Sequence, residues 1–411
     1  MAGHNWIGIL QPQDASLPAQ PGGCVQCHVS LGPKPNPLDK LTDADYKNVD
    51  CLMCHADGYK RTVAKDGDKF KMVPAEGVDV VKAAQSAQKP TNAMCLRCHL
   101  GAGGGPNAKH GVAPTKDTDV HMAAGIQCVG CHTTTNHKIA GGADLKAQDL
   151  PDVKVECSNC HTATPHKGES AAALNNHIDR IACQVCHIPL IARDPTLPTV
   201  TDRDWMKSVL NPKSGLYGPT NVMANNVMPE YLWWNRHMTT PPMPVGSIDD
   251  PAAKIMAWKR TNYNQIADKA TNTPVFIKAG VYNVTGDPLA AAKKGAADAG
   301  QQFSGEITGV PETMVFSLNH QVAPKEQALQ CSDCHSSTGR LNFVALGYTA
   351  ERASALASLA VPQAASPTGA AAAPKTMPTT GGRVDVPLLL LGGLGGLTVA
   401  LAAGLSTRRK A

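Results

Sequence analysis

Residues 180–187 read Arg-Ile-Ala-Cys-Gln-Val-Cys-His, and the last five form a pattern, Cys-x-x-Cys-His, that recurs along the chain. All 14 cysteines of the 411 residues fall in this pattern. Its copies are Cys24/Cys27/His28, Cys51/Cys54/His55, Cys95/Cys98/His99, Cys128/Cys131/His132, Cys157/Cys160/His161, Cys183/Cys186/His187 and Cys331/Cys334/His335. This repeat decides how the chain is organised.

The pattern is the attachment signal for haem c, in which two thiols bond to the porphyrin edge and the adjacent histidine coordinates iron. Zinc knuckles and thiol redox pairs also use Cys-x-x-Cys, but neither requires a histidine after every copy. We therefore predict seven haems c, one for each motif. Because thioether formation consumes every thiol, structural disulfides and cysteine nucleophiles are excluded.

The composition indicates that something other than large side chains fills the interior. Apolar residues make up 42% of the chain but aromatic residues only 4%. The first six motifs are closely spaced, which leaves room for single helices and loops between cofactors. We predict a mainly α fold with much irregular loop and a core of stacked haems. The predicted domains are a six-haem domain (1–190), an irregular Trp-rich insert with the last motif (191–348) and an Ala/Pro-rich linker (349–386).

The C-terminal segment, residues 387–411, begins with an uncharged run to Leu405 and ends with Arg408, Arg409 and Lys410. This pattern predicts a transmembrane helix with a cytoplasmic tail, and an exported haem region on the periplasmic or extracellular face. Met377-Pro-Thr-Thr-Gly381 is similar to a sortase signal, which makes linkage to the cell wall an alternative. Because haem c is attached after export, we also expect a signal peptide upstream of Met1.

The charge pattern limits the choice of partners. The formal net charge is +5, but charges of both signs are interspersed and no long basic cluster occurs. Nucleic acid is therefore not an expected partner. We expect a redox partner protein or a quinol-linked donor, a small inorganic acceptor, and contact with a membrane through the C-terminal helix.

Histidines outside the motifs are candidates for the second axial ligand of each iron. They are His4, His110, His121, His137, His166, His177, His237 and His320. Two imidazoles per iron is the simplest interpretation, and ligation by some of the 13 methionines is the alternative. Bis-histidine ligation lacks the methionine thioether ligand that raises the reduction potential, so it predicts low-potential haems.

Several stretches together carry a family resemblance. They are VDCLMCH (49–55), KPTNAMCLRCHLGAGGGPNAKHG (89–111), DVHM (119–122), CVGCHTTTNHKIAG (128–141), CSNCHTATPHK (157–167), RIACQVCHIPLIAR (180–193), PEYLWWN (229–235) and NHQVAPKEQALQCSDCHSSTGRL (319–341). The chain resembles the octahaem tetrathionate reductase family of multihaem cytochromes c. The resemblance is close over residues 45–195 and 310–345.

This resemblance implies eight haems, seven with two histidines and one with a lysine ligand at the active site. The distal ligands that it implies are His4, His110, His121, His137, His166, His177 and His320. His237 is the one remaining histidine outside the motifs and has no iron assigned to it. The lysine ligand corresponds to Lys89, with Lys109 and Lys325 as alternatives, and the catalytic haem to that of His28. The missing first motif, and with it an eighth haem, is expected upstream of Met1. A lysine coordinates iron only as the neutral amine.

The resemblance implies low-potential electron transfer coupled to reduction of a small sulfur or nitrogen species at the haem with Lys89. Tetrathionate, nitrite and hydroxylamine are the candidate substrates. The alternative is a non-catalytic electron conduit, or a surface reductase for extracellular acceptors.

Protein matured in a host competent for c-type cytochromes is expected to carry seven haems per chain, because the chain has seven motifs. A pyridine haemochrome assay against protein concentration measures this number. Cys186→Ala is the control, since it should remove no more than one haem. Four or fewer haems in the unmodified protein would contradict the assignment.

Overall fold

The computed structural model describes residues 29, 31, 40, 42–66, 69–100, 111–141, 155–212, 214–239 and 242–359. The helices are α1 (Asp43–Lys47), α2 (Leu52–His55), α3 (Val80–Gln85), α4 (Asn92–His99), α5 (Val120–Ala123), α6 (Cys128–Cys131), α7 (Ala171–His177), α8 (Cys183–His187), α9 (Ala279–Thr285), α10 (Pro288–Ala299), α11 (Cys331–Cys334) and α12 (Ala350–Ala357). Two 3-10 turns cover Cys157–Asn159 and Lys325–Gln327.

The strands are concentrated between residues 199 and 317. They are β1 (Arg61–Asp66), β2 (Lys69–Pro74), β3 (Thr134–Thr135), β4 (Lys138–Ile139), β5 (Thr199–Asn211), β6 (Leu216–Ala224), β7 (Glu230–Trp234), β8 (His237–Met238), β9 (Pro244–Val245), β10 (Lys254–Asp268) and β11 (Ile307–Ser317). β1–β2, β3–β4 and β8–β9 form two-stranded sheets.

A five-stranded mixed sheet is the main element of the second half of the described chain. Its order is β11-β10-β5-β6, and β7 also pairs with β10. β10 runs parallel to β5 and antiparallel to β7 and β11. The prediction of a mainly α fold with an irregular insert is therefore wrong, because the insert folds as a sheet.

β10 is covered on both faces over its first half. Ile255 and Ala257 point into one cluster with Ile188 and Ile191, all essentially without exposed surface. The alternate residue Trp258 belongs to a second cluster on the other face. Alternate residues of a strand lie on opposite faces, so burial of both sets marks β10 as the central strand.

The sheet joins the motif-bearing part of the chain through backbone hydrogen bonds. Ala182, just before α8, donates to the carbonyl of Ile255 at 2.9 Å, and Ile255 donates to that of Arg180 at 2.8 Å. On the far side, α9 and α10 form a cluster with Ile266 of β10. The Cys183 motif is thus fixed to the central strand.

The predicted C-terminal transmembrane helix, and the anchored location inferred from it, are also corrected. None of the helices in the described ranges is long and apolar enough to cross a bilayer. Residues 387–411, Met377–Gly381 and the 360–386 part of the linker lie outside the described residues.

Gly295→Ala should lower the free energy of unfolding by about 1–3 kcal/mol, the usual cost of overpacking. A Cβ on Gly295 of α10 would lie 2.2 Å from the carbonyl oxygen of Phe276. Helix propensity alone predicts the opposite sign, a gain of about 0.5–1 kcal/mol. Thermal unfolding followed by circular dichroism measures the difference.

Gly218→Ala is the matched control, since no atom lies within 4 Å of the added Cβ. A Gly295→Ala protein at least as stable as this control would show that α10 does not pack as described.

Candidate functional site

Each described Cys-x-x-Cys-His motif lies on a single turn of helix. The histidine N–H donates to the carbonyl of the first cysteine, for example from His55 to Cys51 at 3.0 Å and from His335 to Cys331 at 2.8 Å. One turn brings the two thiols and the histidine ring to the same side of the backbone. This is the local geometry that haem attachment requires.

Five motif histidines face a histidine from elsewhere in the chain. The pairs and their ring-centroid distances are His55–His137 at 6.0 Å, His161–His121 at 6.2 Å, His132–His320 at 6.3 Å, His187–His166 at 6.3 Å and His335–His177 at 6.1 Å. All five partners are among the predicted distal histidines. The structure therefore brings these ten predicted ligands together in pairs.

The distances between the paired rings fit one metal ion between them. Two metal–nitrogen bonds of about 2.0 Å, with about 1.1 Å from each nitrogen to its ring centre, place the centroids about 6.2 Å apart. Within the described ranges, no three His, Cys, Asp or Glu side chains are grouped to hold a metal ion. A pair of rings thus offers two axial ligands, and a porphyrin would supply the other four.

Backbone carbonyls fix the orientation of three motif rings. Their Nδ1 atoms lie 2.9 Å from carbonyl oxygens, in the contacts His55–Gln88, His132–Ala140 and His335–Leu356. A carbonyl only accepts, so Nδ1 must carry the proton and Nε2 the lone pair. This is the usual arrangement around a metal-ligating imidazole.

Two distal rings are oriented by side chains. Nδ1 of His166 lies 3.1 Å from the amide oxygen of Asn175, whose amide nitrogen donates to the His166 carbonyl. Nδ1 of His121 lies 3.3 Å from the carboxylate of Asp119. Sequence analysis missed Asp119 and Asn175, although an aspartate two residues before a histidine is a recognisable helix cap.

Burial favours the neutral form of two further rings. It lowers the pKa of His177, and the nearby His335 lowers it further. Burial likewise lowers the pKa of His187, with a smaller effect from His166. Only a neutral imidazole has the lone pair that coordinates iron.

The cysteine motifs lie next to one another in sequence order. A hydrogen bond with Cys128 raises the pKa of Cys95, and one with Cys183 raises the pKa of Cys157. Weaker electrostatic effects, after that of burial, indicate three further neighbouring pairs. Cys95 raises the pKa of Cys54, Cys160 raises that of Cys131, and Cys331, after Cys183, raises that of Cys186. The six described motifs therefore form one continuous row.

Cys98 departs from the simple expectation of a thiol that only faces a haem. This half-buried residue of α4 packs against the apolar cluster that includes Met53 and Ala56 of the preceding motif. Burial lowers the pKa of Arg61, whereas Asp50, Tyr59 and, least of these three, Cys98 raise it, so Cys98 lies in the neighbourhood of this guanidinium. Sequence analysis assigned Cys98 to haem attachment alone and missed this packing role, because the cluster is formed by residues distant in sequence.

Hydrogen bonds hold neighbouring motifs of this row together. Arg97, inside the Cys95 motif, donates to the carbonyls of Met53, Ala56 and Tyr59 at 3.4, 3.3 and 3.0 Å. The N–H of Cys128 donates to the side-chain oxygen of Asn92 at 2.7 Å. Because these bonds span adjacent motifs, the spacing along the row is fixed by the protein.

Two buried donors near the Cys183 motif find no acceptor among the described residues. They are Nε of Arg180, three residues before Cys183, and Nε1 of Trp234. The guanidinium of Arg180 also lies 4.6 Å from the ring centre of Trp233. Buried donors need an acceptor, and the propionate carboxylates of a haem fit that need.

The remaining predicted residues are placed as follows. His99 ends α4, and His237 is exposed in β8. Lys325 is 88% exposed beside Glu326. Lys89 is exposed and lines an open cleft of about 450 Å³ with Thr91 and Gln127. The other predicted site residues lie outside the described residues, namely His4, Cys24, Cys27, His28, Lys109 and His110.

Comparison with known proteins places these features in a family. The family described as "Cytochrome c bacterial" matches residues 217–338, and "Cytochrome c554 and c-prime" matches residues 59–133. An uncharacterized protein of Archaeoglobus fulgidus is 31% identical over 167 residues, 33% of this chain and 54% of that protein. The chain thus spans about half the length of this relative.

A solved structure extends the likeness over most of the chain. It is the octaheme cytochrome c from Shewanella oneidensis, with a TM-score of 0.60 and 30% sequence identity. The match covers 84% of this chain and 85% of the Shewanella chain. Because of this likeness and its repeated haem-attachment motif, the chain belongs to the multihaem cytochromes c.

Proposed function

We propose that the chain relays low-potential electrons through haems c attached along its row of motifs. The observation that carries this proposal is the set of five histidine pairs at 6.0–6.3 Å. When bound, each haem supplies an iron that takes up and releases one electron. Two imidazoles per iron would keep the potential low, since neither ligand of a pair is the methionine thioether that raises it.

The contacts between successive motifs support a relay in preference to isolated redox sites. Each described motif lies near the next, from Cys54 and Cys95 to Cys186 and Cys331. An electron that enters at one end thus meets a sequence of neighbouring sites. A redox partner protein or a quinol-linked donor is the proposed source of electrons.

The proposed catalytic site uses Lys89 and the haem of His28. Lys89 lies in an open cleft beside Thr91 and Gln127, which gives a small polar molecule access to its amine. We assign the chain to the octahaem tetrathionate reductase branch, with tetrathionate, nitrite or hydroxylamine as substrate. Reduction of tetrathionate breaks the central S–S bond, consumes two electrons from the relay and releases two thiosulfate ions.

A pure conduit is the second candidate function, and the ring pairs favour it. Each of the five pairs would take both axial positions of a bound haem, which would leave an exogenous ligand no place on those irons. The full sequence contains seven motifs, including that of His28, so catalysis depends on a site other than these five.

His137→Ala should convert one low-spin haem to high spin, because the haem of His55 loses its second imidazole. The measurement is electron paramagnetic resonance of the oxidised protein, with spin quantification. His237→Ala is the matched control, since His237 is exposed and outside the five pairs. An unchanged low-spin count in the His137→Ala protein would contradict the proposed ligation.

Lys89→Ala should change the spectrum of one haem and alter turnover of tetrathionate, nitrite or hydroxylamine at least tenfold. Bulk reduction by a strong donor should stay the same, since the histidine pairs are untouched. Lys82→Ala, which removes an exposed lysine of α3, is the control. Wild-type protein without turnover of any of the three substrates would leave the conduit as the function.

A further inference from the structure

A buried negative charge lies beside the His161–His121 pair. The carboxylate of Asp119, 4% exposed, lies 3.3 Å from Nδ1 of His121. The acceptors described at other pairs are neutral, namely Gln88 O, Ala140 O, Leu356 O and the Asn175 amide. A full charge in place of a neutral dipole changes the electrostatics of the ring that it faces.

Backbone donors hold the Asp119 carboxylate in this position. One oxygen accepts from the N–H of His121 at 2.9 Å, as the N-cap of α5. The other accepts from the N–H of Val322 at 3.0 Å, and the N–H of Val120 donates to the Val322 carbonyl at 3.1 Å. Because both oxygens are engaged, the charge cannot swing away from the ring.

The half-buried Arg193 is a nearby countercharge. Burial lowers the pKa of Arg193 and the charge of Asp119 raises it, which shows that the two groups interact. The guanidinium is held at the backbone, where it donates to the carbonyls of Thr118 at 2.8 Å and Gln321 at 3.0 Å. The bonds described for this guanidinium go to neutral acceptors, so none of them replaces the contact between the Asp119 carboxylate and the His121 ring.

We propose that Asp119 is a positioning residue that lowers the reduction potential of the haem between His161 and His121. A negative charge at Nδ1 strengthens the imidazole as a donor and favours ferric over ferrous iron. A neutral carbonyl or amide at the same position has a smaller effect on the imidazole and on the reduction potential. The proposal rests on the proposed function, because it takes the paired rings to be iron ligands.

The site of Asp119 lies within the row of described motifs. The Cys157 motif lies beside Cys183 on one side, and its Cys160 lies near Cys131 on the other. Asp119 therefore sets a low-potential step inside the row and not at one end. Electrons crossing the row pass this step in either direction.

The test compares the holoprotein with its Asp119→Asn variant by spectroelectrochemical titration and electron paramagnetic resonance. Asparagine keeps the helix cap but removes the charge. One haem should shift its oxidised-to-reduced ratio about tenfold at fixed potential, a rise of about 59 mV for one electron. Haem content and the number of low-spin centres should not change.

Two further variants separate a local charge effect from other causes. Asp117→Asn removes an exposed carboxylate two residues away and should leave every potential in place. Asn175→Asp puts a carboxylate against His166 and should lower the potential of the His187 haem. This second shift keeps the proposal testable if Asp119→Asn fails to fold.

The proposal is overturned if Asp119→Asn matches Asp117→Asn, or shifts all haems equally, or if Asn175→Asp leaves the His187 haem unchanged. If the Asp119→Asn protein keeps its low-spin haems and none of their potentials shifts, this inference is rejected but the proposed function is not. Absence of low-spin bis-histidine signals in the wild-type protein would instead reject the proposed function.

Discussion

Two imidazole rings that share one metal must be held at a fixed separation, and the rest of the chain meets that demand. The five pairs keep their centroids within 6.0–6.3 Å, although each joins separate elements. Short helical turns and backbone hydrogen bonds achieve this, and a large apolar cluster supports the motifs of Cys186 and Cys334. Around the Cys51 motif the apolar cluster has only four fully buried members among the described residues, Val29, Met53, Ala56 and Tyr59.

The sequence was sufficient to select the residues of these pairs but not to match them. The fixed spacing of the motif identifies the cysteines and the first histidine, because attachment chemistry tolerates little variation. Isolated histidines in polar contexts suggested the second ligands. Which distal ring meets which motif depends on tertiary structure, and nothing local to His132 indicates that its partner is His320.

The sheet was missed because its central strand has no simple alternation. β10 is buried on both faces, yet it carries Lys259 and Thr261 among its apolar residues. Lys259 is satisfied inside the fold, where its amine donates to the Val200 carbonyl and the Thr261 hydroxyl, both at 2.6 Å. Burial lowers the pKa of Lys259 to about 7, so its charge is easily lost there. The hydrogen bonds that allow Lys259 to be buried depend on tertiary packing, and they produce no periodic pattern in the sequence.

The place of His320, just after β11, has a consequence for the order of assembly. Its partner His132 is synthesised long before the sheet, so that site gains its second ring only after β5 to β11 have been synthesised. His166 and His187, by contrast, are close in sequence and can meet early, since closing a short loop costs less entropy. Maturation should therefore pass through a stage with some sites complete and others holding one histidine. The sheet, which contains none of the attachment motifs, decides when that stage ends.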